Sequence, residues 1–241
     1  MRERRGLQRD ERLRRHGDSR RGDNGLSGVE RRRPQALRAQ GTAGGDPARH
    51  AHEPLLRTLA EREPELRAHV ADVSSLAVRV GKRIGLGLDE LEELRLAAEL
   101  HDVGKLAIPD VVLQKTGSLD STEWGFVHSH TLIGQRILGA APGLRPVGVI
   151  VRSTHENWDG TGYPDGLAGD AIPLAARIIA VCDAYSAITS DRPYRAARTP
   201  SEAILELRRC AGMQFDAEVV ELLCTVLAEE DEHAPTVAVG G

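Results

Sequence analysis

From about residue 54 onward the apolar positions recur three and four apart in long stripes, without runs of strict alternation between turns, and the chain reads as mostly helical. Glu65, His69, Val73, Leu76 and Val80 share one face of a first helix that stops at "GLGLDE". Leu94, Ala97, Ala98 and His101 share the face of a second, which closes on "HDVGK". Asp120 with Glu123 three residues on forms a capping-box start and predicts a third helix whose apolar face is Phe126, His130, Ile133 and Ile137. On that helix His128 lies about 200° around from His130 and faces water. "AARIIAVCDAYSAITS" is apolar nearly all round, as a buried helix is, and sets Asp183 over Ala176, Ile179 and Ala187. "TPSE" at Thr199 to Glu202 combines an N-cap Thr with Pro in the first helical position; it opens a last helical region that carries "AGMQFD" and ends near Glu230. Between these, "RSTHENWDGTGYPDG" (Arg152 to Gly166) fits neither helix nor strand. Its glycines permit tight turns and Pro164 stiffens the path, so that Trp158 and Tyr163 can be presented to a flat ligand or a partner surface. For Trp158 the preferred reading is a core plug that anchors a loop with few apolar residues.

Charge divides the chain. Residues 1–50 carry fourteen arginines against seven acids, a balance of +7, whereas residues 51–241 carry eighteen basic and twenty-nine acidic residues, a balance of −11. The first segment has few large apolar residues and is read as a disordered, Arg-rich tail, 1–53, too polar for a sensing fold. It has no aromatic residues interleaved to stack on bases, which argues against DNA or RNA as a partner. Cys182, Cys210 and Cys224 are scattered, which excludes a Cys-based zinc finger or disulfide framework and suits a reducing cytoplasm. No run of about 18 apolar residues and no secretion leader is encoded, so neither a membrane span nor export is expected.

The inward faces collect an unusual set of polar residues: Glu65 and His69, the adjacent pair His101 and Asp102, then His130, His155 and Asp183. One such histidine would be an ordinary hydrogen-bonded core residue. Four of them with three acids, on otherwise apolar faces, are what a divalent metal site needs, since buried carboxylates are costly without a cation. The absence of cysteine from the set favours iron, manganese or another borderline to hard metal over structural zinc.

The same residues carry a resemblance. "HDVGKLAIPD", "HSHTLIG", "HENWDGTGYPDGLAGDAIPLAARI", "VCDAY" and "TSDRPYR", in this order, resemble the HD-GYP family of cyclic di-GMP phosphodiesterases across residues 54–230, leaving 231–241 as a flexible C-terminal tail. The resemblance implies an all-α fold, the HD-domain helical bundle with a GYP loop. It implies a metal-dependent phosphodiesterase that opens cyclic di-GMP to linear pGpG by a metal-activated water; members with three metals suggest hydrolysis on to GMP. It makes His69, His101, Asp102, His130, His155 and Asp183 metal ligands, with Asp102 between two ions, and Glu65 the ligand found in three-metal members. Asp102 and Lys105 become catalytic, Lys105 aimed at the phosphate or leaving oxygen. Tyr163 becomes a substrate contact, and Arg192 with Arg195 a phosphate clamp. Two departures stand out: Thr154 where the family has a first of two histidines, and Ser186 where an Asp is common. They leave open a second reading, a catalytically weak or inactive module that acts as a cyclic di-GMP receptor or binds signalling proteins through the loop. A third, an HD hydrolase for another nucleotide, leaves the GYP string unexplained. A homodimer is the expectation for a signalling domain.

Overall fold

The computed structural model describes residues 47–62, 66–191 and 196–233. Glu65, Arg192 and Arg195 lie outside the described residues, as do residues 1–46 of the stretch read as a tail. In chain order the helices are α1 (Pro47–Arg62), α2 (Leu66–Ile84), α3 (Leu88–Leu100), α4 (Asp110–Leu113), α5 (Ser121–His128), α6 (His130–Gly139), α7 (Arg145–Arg152), α8 (Leu174–Thr189), α9 (Pro200–Cys210) and α10 (Ala217–His233). Among the described residues there is no extended strand, only two isolated bridges, Asp159–Ala168 and Ala211–Phe215, so the all-helical expectation holds.

α2 and α8 form the centre. Val73, Ala77 and Val80 repeat at helical spacing along α2 and are fully buried, and α2 packs against α3, α8 and α10. Each such valine removed from water contributes about 1.5–3 kcal/mol, which holds the polar residues of the same faces inside. α8 buries Ala176, Ile178, Ile179, Val181 and Cys182 on several sides, as its nearly all-round apolar sequence requires. α6 pairs with α7 and with the 3-10 turn Val103–Ala107 that follows α3. Arg62, at the end of α1, ties that turn down: it donates to the carbonyls of Lys105 (3.0 Å), Leu106 and Ile108, and its Nε reaches the Asp110 carboxylate at 3.1 Å.

Two expectations need correction. The helix beginning at Asp120 is broken at Ser129, because the carbonyls of Phe126, Val127 and His128 accept from the side chains of Ser129, His130 and Thr131, which loosens the regular ladder there. Phe126 is in consequence 46% exposed and does not share an apolar face with His130. The last helical region is likewise two helices, α9 and α10, separated by the turn at Ala211–Asp216. Its start is as read: Thr199 and Glu202 form a reciprocal capping box at α9. Among the described residues no helix is long and apolar enough to cross a membrane.

Candidate active site

His101 caps α3 and Asp102 opens the next turn, so one corner of the chain delivers both groups, and both are buried. His69 comes from α2, His130 begins α6, His155 follows α7, and Asp183 lies within α8. The fold brings these six together in two groups, His69–His101–Asp183 and Asp102–His130–His155, with the donor atoms of each within 4.8 Å of one another. The groups meet at the corner. Nε2 of His101 lies 3.4 Å from Oδ2 of Asp102 and 3.9 Å from Oδ1 of Asp183, while Nε2 of His130 lies 3.5 Å from Oδ1 of Asp102. The two oxygens of Asp102 therefore face different groups.

The donor set fits divalent metal. Atoms that share an ion at about 2.1 Å stand roughly 3–3.5 Å apart, and the separations here run from 2.9 to 3.9 Å. Nε2 of His130 and Nε2 of His155 are buried with no hydrogen-bond partner among the described residues, an expensive state for a polar atom unless something takes the lone pair. The rings are aimed from behind: Nδ1 of His101 donates to the Ala98 carbonyl at 2.7 Å and Nδ1 of His130 to the Val127 carbonyl at 2.6 Å, which turns each Nε2 toward the site. His69 is held by Ser186, whose Oγ lies 2.8 Å from Nδ1, while its Nε2 faces Asp183 Oδ1 at 2.9 Å. Nitrogen and oxygen donors without thiolate suit a borderline or hard cation.

The electrostatics agree. Burial pushes His155 down to about 4, with the imidazole of His130 adding to the effect, and burial also lowers His130, so both rings are neutral, the form that ligates. Burial opposes charge on His101 too, yet Asp102 and Asp183 hold it up at about 9, so without a cation its Nε2 keeps a proton that metal binding would displace. Asp102 stays ionised against its own burial because Lys105 and His101 hold it well below the carboxylate range; His69 and His101 also lower Asp183 against its burial. The site is thus a pair of carboxylates that demand positive charge. Lys105 supplies part of it, with Nζ 2.7 Å from Asp102 Oδ2.

The irregular segment after α7 is fastened at several points. Buried Glu156 accepts from the backbone N–H of Asp165 (2.7 Å) and Leu167 (3.1 Å), and Arg152 grips Asp165 with two contacts. Trp158 and Asp159 donate their N–H groups to the carbonyls of Gln214 (3.1 Å) and Met213 (2.8 Å) in the α9–α10 turn. The Arg177 guanidinium, paired with buried Asp216 at 2.7 Å, sits 5.5 Å from the centre of the Trp158 ring, so this indole anchors the loop. The Asp159 carboxylate takes the N–H and hydroxyl of Thr161. Gly162 is required by close approach: a Cβ there would lie 2.2 Å from the Asn157 nitrogen. The chain can then return so that Tyr163 N–H reaches the His155 carbonyl at 3.1 Å. The Tyr163 ring stacks on His155 (5.2 Å, 7°) and on His128 (4.0 Å, 17°), so His128, expected to face only water, is exposed yet engaged with the loop.

Thr154 is buried beside this cluster and its hydroxyl donates to the Val151 carbonyl at 3.0 Å, at the end of α7. Ser186, the other departure, orients His69. Sequence reading missed that role for Ser186, the loop-fastening role of Glu156 and the stack on His128. Ser186 alone carried a signal: it lies three residues after Asp183 on the same helix.

The model of the HD-domain family matches residues 54–219. The chain belongs to the HD-domain family. As an HD-domain protein it is 40% identical over 171 residues to the cyclic di-GMP phosphodiesterase response regulator RpfG of Xanthomonas campestris, covering 70% of this chain and 45% of that protein. It is 38% identical over 170 residues to a cyclic di-GMP phosphodiesterase of Thermotoga maritima (69% and 46%) and 37% identical over 171 residues to the 3'3'-cGAMP-specific phosphodiesterase 2 of Vibrio cholerae (70% and 33%). The chain spans less than half the length of these curated relatives. The HD-GYP resemblance is borne out by them. Among solved structures, the HD domain of the Listeria monocytogenes phosphodiesterase PgpH in complex with cyclic-di-AMP shares the fold with a TM-score of 0.54 at 20% identity, covering 78% of this chain and 100% of that one. A cyclic GMP-AMP specific phosphodiesterase of Vibrio cholerae gives the same TM-score and identity over 71% of this chain and 46% of that one.

Proposed function

We propose that this domain is a metal-dependent phosphodiesterase that hydrolyses cyclic di-GMP. The observation that carries the reading is the placement of Asp102, one oxygen toward His101 and the other toward His130, where it joins two metal-capable groups. His69, His101, Asp102 and Asp183 would hold one cation and Asp102, His130 and His155 a second, iron or manganese by donor type. Such a pair, when bound, neutralises the phosphodiester, acidifies a water and stabilises the oxygens of an in-line displacement. The chain's own part is to bind and orient. His130 and His155 stay neutral through burial, Ala98 and Val127 fix the ring tautomers, and Lys105 sets an ammonium where a phosphate oxygen or the departing ribose oxygen can meet it. By the resemblance, Arg192 and Arg195 would clamp the phosphate, Glu65 would serve a third cation, and Tyr163 would border the ligand. The free cysteines suit a cytoplasmic setting.

The test is direct. Purified anaerobically with iron or manganese, the chain is expected to open cyclic di-GMP to the linear dinucleotide, followed by chromatography with 3'3'-cGAMP in parallel. A filled site with micromolar binding but no turnover would instead make the domain a receptor. Within the site, Ser186→Ala frees the His69 ring and is expected to weaken metal affinity about 10- to 100-fold, as loss of a hydrogen bond behind a ligand does. Titration calorimetry with manganese measures it, and unchanged affinity would show that Ser186 does not orient His69.

A further inference from the structure

The stack on Tyr163 does not end at His128. Trp124, four residues earlier on α5, lies 5.4 Å from the His128 ring at a tilt of 50°. Four rings thus run in contact from the surface inward: Trp124, His128, Tyr163 and His155. The outer end is open, for Trp124 is 48% exposed; the inner end is a residue of the metal-capable group. α5 is short but firmly set. The Asp120 carboxylate accepts from the N–H groups of Thr122 (2.8 Å) and Glu123 (2.9 Å), and Glu123 reaches back to Asp120 N–H at 2.8 Å and to Lys115 at 2.5 Å. A large indole thus stands half in water at the end of an aromatic ladder, on a helix with a closed capping box.

We infer that Trp124 and His128 form a stacking platform for a purine base of the cyclic dinucleotide, seating the nucleobase outside the metal-capable groups while its phosphate lies at Asp102 and Lys105. Aromatic faces bind bases through their π-surface and are tolerant of which base is present. The ladder couples that grip to the site, since the tyrosine that carries His128 also packs on His155. The inference rests on the phosphodiesterase reading, but the platform can be tested apart from it.

The experiment titrates the metal-loaded chain with a phosphorothioate analogue of cyclic di-GMP and, separately, with GMP, reading tryptophan fluorescence, and measures kcat and KM for cyclic di-GMP. Trp124→Ala is expected to raise KM and the analogue's Kd about five- to a hundredfold, the range of one aromatic–base stack, with kcat held within about threefold. Trp124→Phe keeps a ring and most of the affinity but loses the share of the quench that comes from Trp124, leaving only that of Trp158, the second tryptophan of the chain. Phe126→Ala, an exposed aromatic of the same helix outside the ladder, leaves KM unchanged. Native affinity in Trp124→Ala, or a quench of undiminished amplitude in Trp124→Phe, would overturn the platform even if turnover is intact. Quenching by GMP that depends on Trp124, in a chain that does not cleave cyclic di-GMP, would uphold the platform and sink the phosphodiesterase reading instead.

Discussion

Asp102→Asn is expected to leave the helical fold standing while removing at least about a thousandfold of phosphodiesterase turnover, because a metal pair supplies several kcal/mol of charge stabilisation and each 1.4 kcal/mol is tenfold. The substitution removes one negative charge and changes almost no shape. What it removes is the anion that faces both metal-capable groups: Oδ2 lies 3.4 Å from His101 Nε2 and 2.7 Å from Lys105, and Oδ1 lies 3.5 Å from His130 Nε2. His101 loses the neighbour that does most to hold it up at about 9 against burial, and its proton affinity falls accordingly. The amide can still accept a hydrogen bond from Lys105, so packing survives. Metal content by mass spectrometry is expected to fall together with turnover. If Asp102→Asn binds its metals and turns over cyclic di-GMP like the unsubstituted chain, the mechanism built on this corner is wrong.

How far this corner was legible depends on the range of the interaction that makes it. His69, His101 and Asp183 fall on apolar stripes that a 3.6-residue period reveals without any knowledge of the neighbours, and burial of Val73, Ala97 and Ile179 carries them inward. The irregularity of the GYP segment was equally plain from its glycines. The arrangement of that segment was not, because it is set by contacts with distant turns. Glu156 folds it by catching two of its own amides, and the α9–α10 turn, itself read as continuous helix, receives Trp158 and Asp159. Phe126 was misplaced because three side chains divert the carbonyls around Ser129, a local competition that hydrophobic periodicity does not register. That break sets off the short helix that carries Trp124 and His128, and the platform was hidden for the same reason. Glu65 rests on helical spacing and the resemblance, and Arg192 and Arg195 on the resemblance, since all three lie outside the described residues.

The second large effect falls on a residue with no side chain. Gly104 sits two residues after Asp102 in the turn against which α6 packs, and a Cβ built on it would lie 1.8 Å from the carbonyl oxygen of His130 and 2.7 Å from the Gly134 nitrogen. Those are backbone atoms of a helix, which cannot swing aside as a flexible side chain would. Gly104→Ala therefore forces the turn and α6 apart, and it does so at the residue that carries the His130 ring. The expected loss is about 3 kcal/mol or more, at the upper end of what overpacking costs, read as a shift of the urea midpoint in metal-free protein. Gly125→Ala is the matched control: a Cβ there meets nothing within 4 Å, and replacing an exposed glycine inside α5 is expected to stabilise by roughly 0.5–1 kcal/mol. Because the clash separates His130 from Asp102, Gly104→Ala is also expected to lose manganese from the second group under conditions where the protein is still folded. An unchanged midpoint would mean that the turn and α6 do not touch as closely as the 1.8 Å overlap requires. A destabilised protein with native metal affinity would separate the packing of this turn from the shaping of the site.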